Sequence, residues 1–202
     1  MQYSTFAAID IGSYDVILEI FEISKKQGIR SVDKICHRME LGKDTYTLGK
    51  IRPEMEEELC RVLADFVRIM EGYRVDDYRA TASSAISEAS NSLYVLGKIH
   101  QLTGLSVTVL SNSEQRFLSY KALAAMEDNF NKIIEKGTAI LDLDGGSFQI
   151  SLFDKDALVT TQNIRMGSLR IRERLAGIQS ETEHYEEMVE ELIWNEVSSF
   201  KK

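Results

Sequence analysis

Apolar and polar positions alternate along this chain in the same order at two places. Between Phe6 and Lys26, FAAIDIGSYDVILEIFEISKK sets an apolar, β-branched run ending at Asp10, a turn at Gly12-Ser13, and a second run of period two. From Ile140 to Asp156, ILDLDGGSFQISLFDKD repeats that order, with Asp142 and Asp144 ahead of the turn Gly145-Gly146-Ser147. The spacing from aspartate to serine is close in the two copies. The pattern predicts a strand, a tight turn and a strand at each place.

The remaining pattern fills in between. Ile29, Val32 and Ile35 predict a third strand within Gly28 to Gly42, followed by a loop. Pro53 and the acidic residues after it open a helix whose Leu59, Val62, Leu63, Phe66, Val67 and Met70 recur at helical spacing up to Gly72. A short strand YRATA, a helix from Ile86 to Gly104, a strand LSVTVLS and a long helix from Ser113 to Gly137 then alternate, which implies parallel extension of the sheet. Residues 1–136 read as one β-β-β-α-β-α-β-α domain. Residues 137–202 read as the start of a second, with three strands and two helices, GSLRIRERLAG and TEHYEEMVEELIWNEVSSFKK. The second copy lacks the β-α-β portion of the first, so it is expected to be a truncated or a naturally shortened domain.

Composition narrows the function classes. At 202 residues and 44% hydrophobic the chain can bury a core. No apolar run is long enough to span a bilayer, and MQYSTFAAID lacks the features of a signal peptide, so a cytoplasmic protein without a membrane partner is expected. A net charge of -8 argues against a broad nucleic-acid surface, which needs clustered Lys and Arg. Cys36 and Cys60 have no metal-type spacing and read as reduced core residues, and His37, His100 and His184 are scattered and read as surface or structural residues. In the last helix, Met188, Val189, Leu192, Ile193 and Val197 form an apolar stripe seeking a partner: another subunit, as in a homodimer, or more of the second domain.

Glycine and serine between two strands let several backbone N–H groups converge on one anion. An aspartate at the strand end can add Mg²⁺, which bridges to phosphate oxygens. Taken singly, Asp10-Ile11-Gly12-Ser13 is an ordinary capped hairpin turn. Two matched turns facing each other across a cleft would instead clamp a polyphosphate, with Gly12, Ser13, Gly145, Gly146 and Ser147 on phosphate and Asp10, Asp142 and Asp144 toward metal.

With these turns in place, five ordered segments resemble the exopolyphosphatase and guanosine pentaphosphate phosphohydrolase (Ppx/GppA) family of the actin, sugar-kinase and chaperone ATPase superfamily. They are FAAIDIGS, ATASSAISEASN, VLSNSEQRFLSYKAL, ILDLDGGSFQISLF and MGSLRIRERL. The resemblance implies a duplicated α/β fold of ribonuclease H-like type, with mixed sheets flanked by helices and an apparently incomplete second domain. It also implies a polyphosphate or guanosine pentaphosphate-type ligand between the two phosphate loops, and Mg²⁺-assisted attack of water on its terminal phosphoryl group. Arg170 matches the family arginine in the last segment.

The chain departs from the family at its two glutamates. Aligned on the family's S-G-x-E-E-A pattern, Ser111 to Gln115 puts Gln115 at the catalytic glutamate; aligned on D-x-G-G-G-S-T-E, Gln149 takes the other and Asp144 a loop glycine. Ser87 stands for an arginine, and Tyr14-Asp15 for Asn-Ser. An amide can orient water but accepts no proton, so the roughly 10²- to 10⁴-fold gain from a general base is expected to be lost. Glu114 is the neighbouring carboxylate that could substitute for Gln115, although one residue turns a helical side chain by about 100°. Three readings follow: a phosphoanhydride hydrolase, a catalytically impaired relative serving as a phosphate sensor or protein-binding regulator, and, ranked last, a phosphotransferase.

Overall fold

β1 (Ser4–Ile11) and β2 (Asp15–Ser24) form the first hairpin, and their period-two pattern becomes a buried face. Ala7 lies opposite Ile20, Ile9 opposite Leu18 and Ile11 opposite Val16, and all six are sealed from water. Slipping this register by one residue would turn the whole apolar set outward. β3 (Gly28–Arg38) is the edge strand beyond β2, and its charged residues suit an edge: Arg30 pairs with Glu22 at 2.6 Å. Cys36 on this strand is exposed, contrary to expectation, because it lies on the uncovered face of β3; Cys60 is buried as expected.

α1 (Leu41–Leu48) occupies the stretch read as a loop. Gly42, Thr45 and Thr47 give it a poor intrinsic helix propensity, and tertiary bonds override that preference. Asp44 is buried and accepts from the backbone N–H and Nε of Arg52, while the Thr45 hydroxyl donates to the Ala85 carbonyl at 2.6 Å. α2 (Pro53–Tyr73) begins at its proline and buries Leu59, Leu63 and Phe66. β4 (Asp77–Ala82) then pairs in parallel with β1.

The helix expected from Ile86 to Gly104 is broken into α3 (Ser84–Ser87) and α4 (Ser92–Thr103). The break falls at Asn91, whose side-chain amide is held by both backbone groups of Ile51 at 3.0 and 2.8 Å. α4 is fastened to α2 by Lys98 and Glu56, whose charged atoms lie 2.5 Å apart. β5 (Val107–Val109) completes a five-stranded mixed sheet of order β3-β2-β1-β4-β5.

The computed structural model describes residues 3–126, 130–176 and 184–198. The chain divides into two compact units, Met1–Leu110 and Ser111–Lys202. The division falls ahead of the 136/137 boundary read from the sequence, because α5 (Asn112–Met126) bonds to the second sheet. The long helix expected there resolves into α5 and α6 (Phe130–Ile134), with residues 127–129 outside the described ones.

β6 (Thr138–Leu143), β7 (Phe148–Asp154) and β8 (Ala157–Ile164) make an antiparallel sheet of three strands. α7 (Ser168–Leu175) and α8 (Tyr185–Ser198) follow; of the last expected helix, residues 182–183 and 199–202 lie outside the described set. Part of the α8 stripe packs within this unit, Leu192 and Val197 on Ile150, Ile164 and Met166, while Ile193 is exposed. Among the described residues no helix is long and apolar enough to cross a membrane.

Leu63 is wholly buried in the first core, so Leu63→Ala should lower the unfolding free energy by about 2–5 kcal/mol, read from urea denaturation of the parent and the variant.

Candidate functional site

The first turn sits where β1, β4 and β5, all parallel, deliver their carboxyl ends to one edge of the sheet, the usual ligand edge of such layers. The Gly12 N–H donates to the Asp15 carbonyl at 2.9 Å and closes the turn. A side chain at Gly12 would put its Cβ 2.9 Å from that same oxygen, so the residue has to be glycine for the turn to stay this tight. Asp10 is exposed at the end of β1.

Ser13 is buried, and its hydroxyl lies 2.6 Å from the phenol oxygen of Tyr46, which lies 2.8 Å from the Ser84 hydroxyl. α1 brings Tyr46 and the start of α3 brings Ser84, so three hydroxyls meet beside Gly12. Tyr46 lies in the stretch expected as a loop and Ser84 ahead of the helix expected from Ile86, so the sequence points to neither.

The second turn has the same closure. Asp144 N–H donates to the Ser147 carbonyl at 3.0 Å, as Gly12 does to Asp15, so Asp144 occupies the place of Gly12 and Asp142 that of Asp10. Unlike Gly12, Asp144 carries a carboxylate. Its Oδ1 accepts from the backbone N–H of Gly146 at 2.6 Å and of Ser147 at 2.7 Å, and its Oδ2 accepts from the Gln115 side-chain amide at 3.3 Å.

The carbonyls of the second turn point the other way, into the first turn of α7. Ser168 N–H donates to the Asp144 carbonyl, and the N–H groups of Leu169 and Arg170 share that of Gly145. Arg170 also donates from Nε to the Gly146 carbonyl at 3.0 Å, so the arginine expected on phosphate braces the turn's backbone. Gly167 allows this approach: a Cβ there would lie 2.4 Å from the Gly146 nitrogen.

α5 places a polar row over the sheet through its four-residue repeat. Gln115 reaches Asp144, and one turn on, Ser119 donates to Asp142 Oδ2 at 3.0 Å. In the adjacent row Arg116 donates to the Thr161 hydroxyl at 3.3 Å and Tyr120 donates to the Ser151 hydroxyl. Gln149 is buried and lies directly across from Asp142, with Asn163 opposite it on β8, so Asp142, Gln149 and Asn163 form one cross-strand line. The structure thus brings Gln115, Gln149, Asp142, Asp144 and the Gly145-Gly146-Ser147 turn into one polar neighbourhood. Ser119, Tyr120 and Asn163 are additions, signalled only by the i+4 step from Gln115 and by the strand register.

Glu114 stands apart from that row. Its Oε2 accepts from the N–H of Ser111 at 2.8 Å and its own N–H donates to the Ser111 hydroxyl at 3.3 Å, the reciprocal pair of a capping box. Its carboxylate closes the start of α5. Of the histidines, His37 lies 3.4 Å from Glu58, His100 contacts the Leu105 carbonyl and His184 lies 3.1 Å from Glu187. Among the described residues no three His, Cys, Asp or Glu side chains converge as a metal cage.

A model of the Ppx/GppA phosphatase family matches residues 19–202, which includes the second turn and begins after the first. The chain is 22% identical over 174 residues to a bifunctional 3-dehydroquinate synthase/phosphatase of Fusobacterium nucleatum, covering 83% of this chain and 26% of that protein. It is 25% identical over 144 residues to exopolyphosphatase 1 of Mycobacterium leprae, covering 71% of this chain and 41% of that one. The chain therefore spans less than half the length of these curated relatives. Among solved structures, a Ppx/GppA family member from Aquifex aeolicus superposes on 100% of this chain and 64% of its own, with TM-score 0.73 and 24% identity. That likeness establishes the fold, an α/β architecture of the actin-like ATPase class.

Because Gly167 packs against the second turn, Gly167→Ala should destabilise the second unit by about 1–3 kcal/mol through overpacking, measured by thermal unfolding, while an exposed helical control such as Lys121→Ala should change little.

Proposed function

Since the chain belongs to the Ppx/GppA phosphatase family, we propose that it takes a polyphosphate-type ligand, inorganic polyphosphate or guanosine pentaphosphate. Mg²⁺-assisted hydrolysis of the terminal phosphoanhydride is then the inherited activity, attenuated in this chain. In that reaction water attacks the terminal phosphorus, the P–O–P bond breaks, and a proton must leave the water. The observation that carries the reading is the pairing of amides where that proton would go. Gln115 donates to Asp144 and Gln149 lies across the strand register from Asp142, yet neither accepts a proton, and Glu114 caps α5.

The donor set bears on the metal. Mg²⁺ is commonly carried by substrate phosphates with one or two carboxylates rather than by a protein cage. Asp10 and Asp142, each two residues ahead of the closing residue of its own turn, each fit that role, and the metal would supply charge neutralisation to the phosphates. Asp144 does not fit, because both its oxygens are held by protein donors.

A second reading, a phosphate-ligand sensor or protein-binding regulator without turnover, is favoured by the same two glutamines. Phosphate release from polyphosphate with Mg²⁺ separates the readings. The parent chain should release phosphate slowly, Gln115→Glu with Gln149→Glu should raise the rate by about 10²-fold or more, and Glu114→Gln should leave it unchanged. Fast release by the parent that Glu114→Gln abolishes would overturn the attenuated reading; no release by either the parent or the double variant would favour the sensor.

A further inference from the structure

The two turns are built on one backbone plan and contrast at the position that closes them. Each closes with an N–H to a carbonyl three residues on, Gly12 to Asp15 and Asp144 to Ser147. In the first, the closing residue has no side chain and no room for one. In the second, the same position bears a carboxylate that folds back over its own turn and takes two successive amides at 2.6 and 2.7 Å. Consecutive N–H groups aimed at one oxygen are the geometry with which a turn binds a phosphate oxygen. A carboxylate oxygen presents the same charge and acceptor character.

The geometry points to Asp144 as the resident anion of the second turn, one that excludes phosphate from Gly146 and Ser147 until it is displaced. This rests on the phosphate-ligand reading and adds to it the residue that governs access. Three features hold the occupant in place. The Gln115 amide takes its second oxygen, the turn's carbonyls are anchored by the first turn of α7, and Arg170 braces the Gly146 carbonyl. An entering phosphate therefore meets a filled pair of donors and a like charge at once, two independent penalties on the same group. Removing the carboxylate removes both. The side chain, rather than the turn's backbone, sets which ligand the second turn accepts.

The test uses the full chain, sodium tripolyphosphate as probe without added metal, calorimetry, and amide resonances of the two turns. In the parent, tripolyphosphate should leave the Gly146 and Ser147 amides where they are. In Asp144→Gly it should move both, with at least a tenfold gain in affinity. Parent amides that move as far as the variant's, or an Asp144→Gly chain whose affinity and Gly146 and Ser147 resonances do not change, would overturn the assignment. Asp144→Asn retains an oxygen for the two amides and drops the charge; should Asp144→Gly fail to fold, a gain in affinity with Asp144→Asn supports the assignment and no gain overturns it. A response confined to Ser13 and its neighbours in every variant removes the assignment and leaves the functional reading intact. Silence at both turns in every variant removes both, whereas a response only after Asp144 is replaced keeps the assignment and ends the reading for the parent chain.

Discussion

Buried or half-buried amide groups must find acceptors, and in the second turn that requirement shapes everything around it. Gly146 and Ser147 present two N–H groups side by side, and an unpaired pair would be costly in a part-buried setting. A bound anion would satisfy them, and so does the side chain two residues earlier. The same bonds position the turn's carbonyls toward α7, whose first-turn amides are themselves without intrahelical partners. Turn and helix thus satisfy one another, with Gly167 as the point of closest approach.

The polar row on α5 is coherent with that arrangement. A glutamate at position 115 would bring another carboxylate against Asp144, and like charges held this close raise each other's cost of ionisation. Gln115 instead donates to Asp144, so the amide suits the carboxylate it faces. The substitution in the turn and the substitution on the helix are mutually compatible in charge and hydrogen bonding. Read singly, each is a loss of catalytic equipment; read together, they form a closed set of bonds.

Both hairpins were legible in the sequence from period-two patterning by Ile, Val and Leu; the first adopts the register that buries its apolar set, whereas in the second Ile150 is buried and Leu141 and Leu143 stay exposed. Family descent was legible from five ordered segments. The loop that became α1 was not, since Gly42 and two threonines argue against a helix that only the buried Asp44 and Thr45 contacts sustain. The boundary between units was obscured for a related reason. α5 follows the strand–helix alternation of the first unit without a break, yet its polar row belongs to the second sheet, and polar contacts of that kind leave no periodic mark. Ser111-x-x-Glu114 carries the signature of a capping box, and the same residues, aligned on the family pattern, offer Glu114 as a catalytic candidate. The folded chain makes the cap, with the Glu114 carboxylate on the Ser111 N–H.

The hydroxyl trio at the first turn has a consequence for how that turn adapts. Ser13, Tyr46 and Ser84 each supply one rotatable proton and two lone pairs, so their bonds can run in either direction around the group at similar energy. Reversing those bonds turns hydroxyl protons and nothing else. The first turn therefore carries hydrogen bonds of open direction, while those of its counterpart downstream run one way, onto a fixed charge.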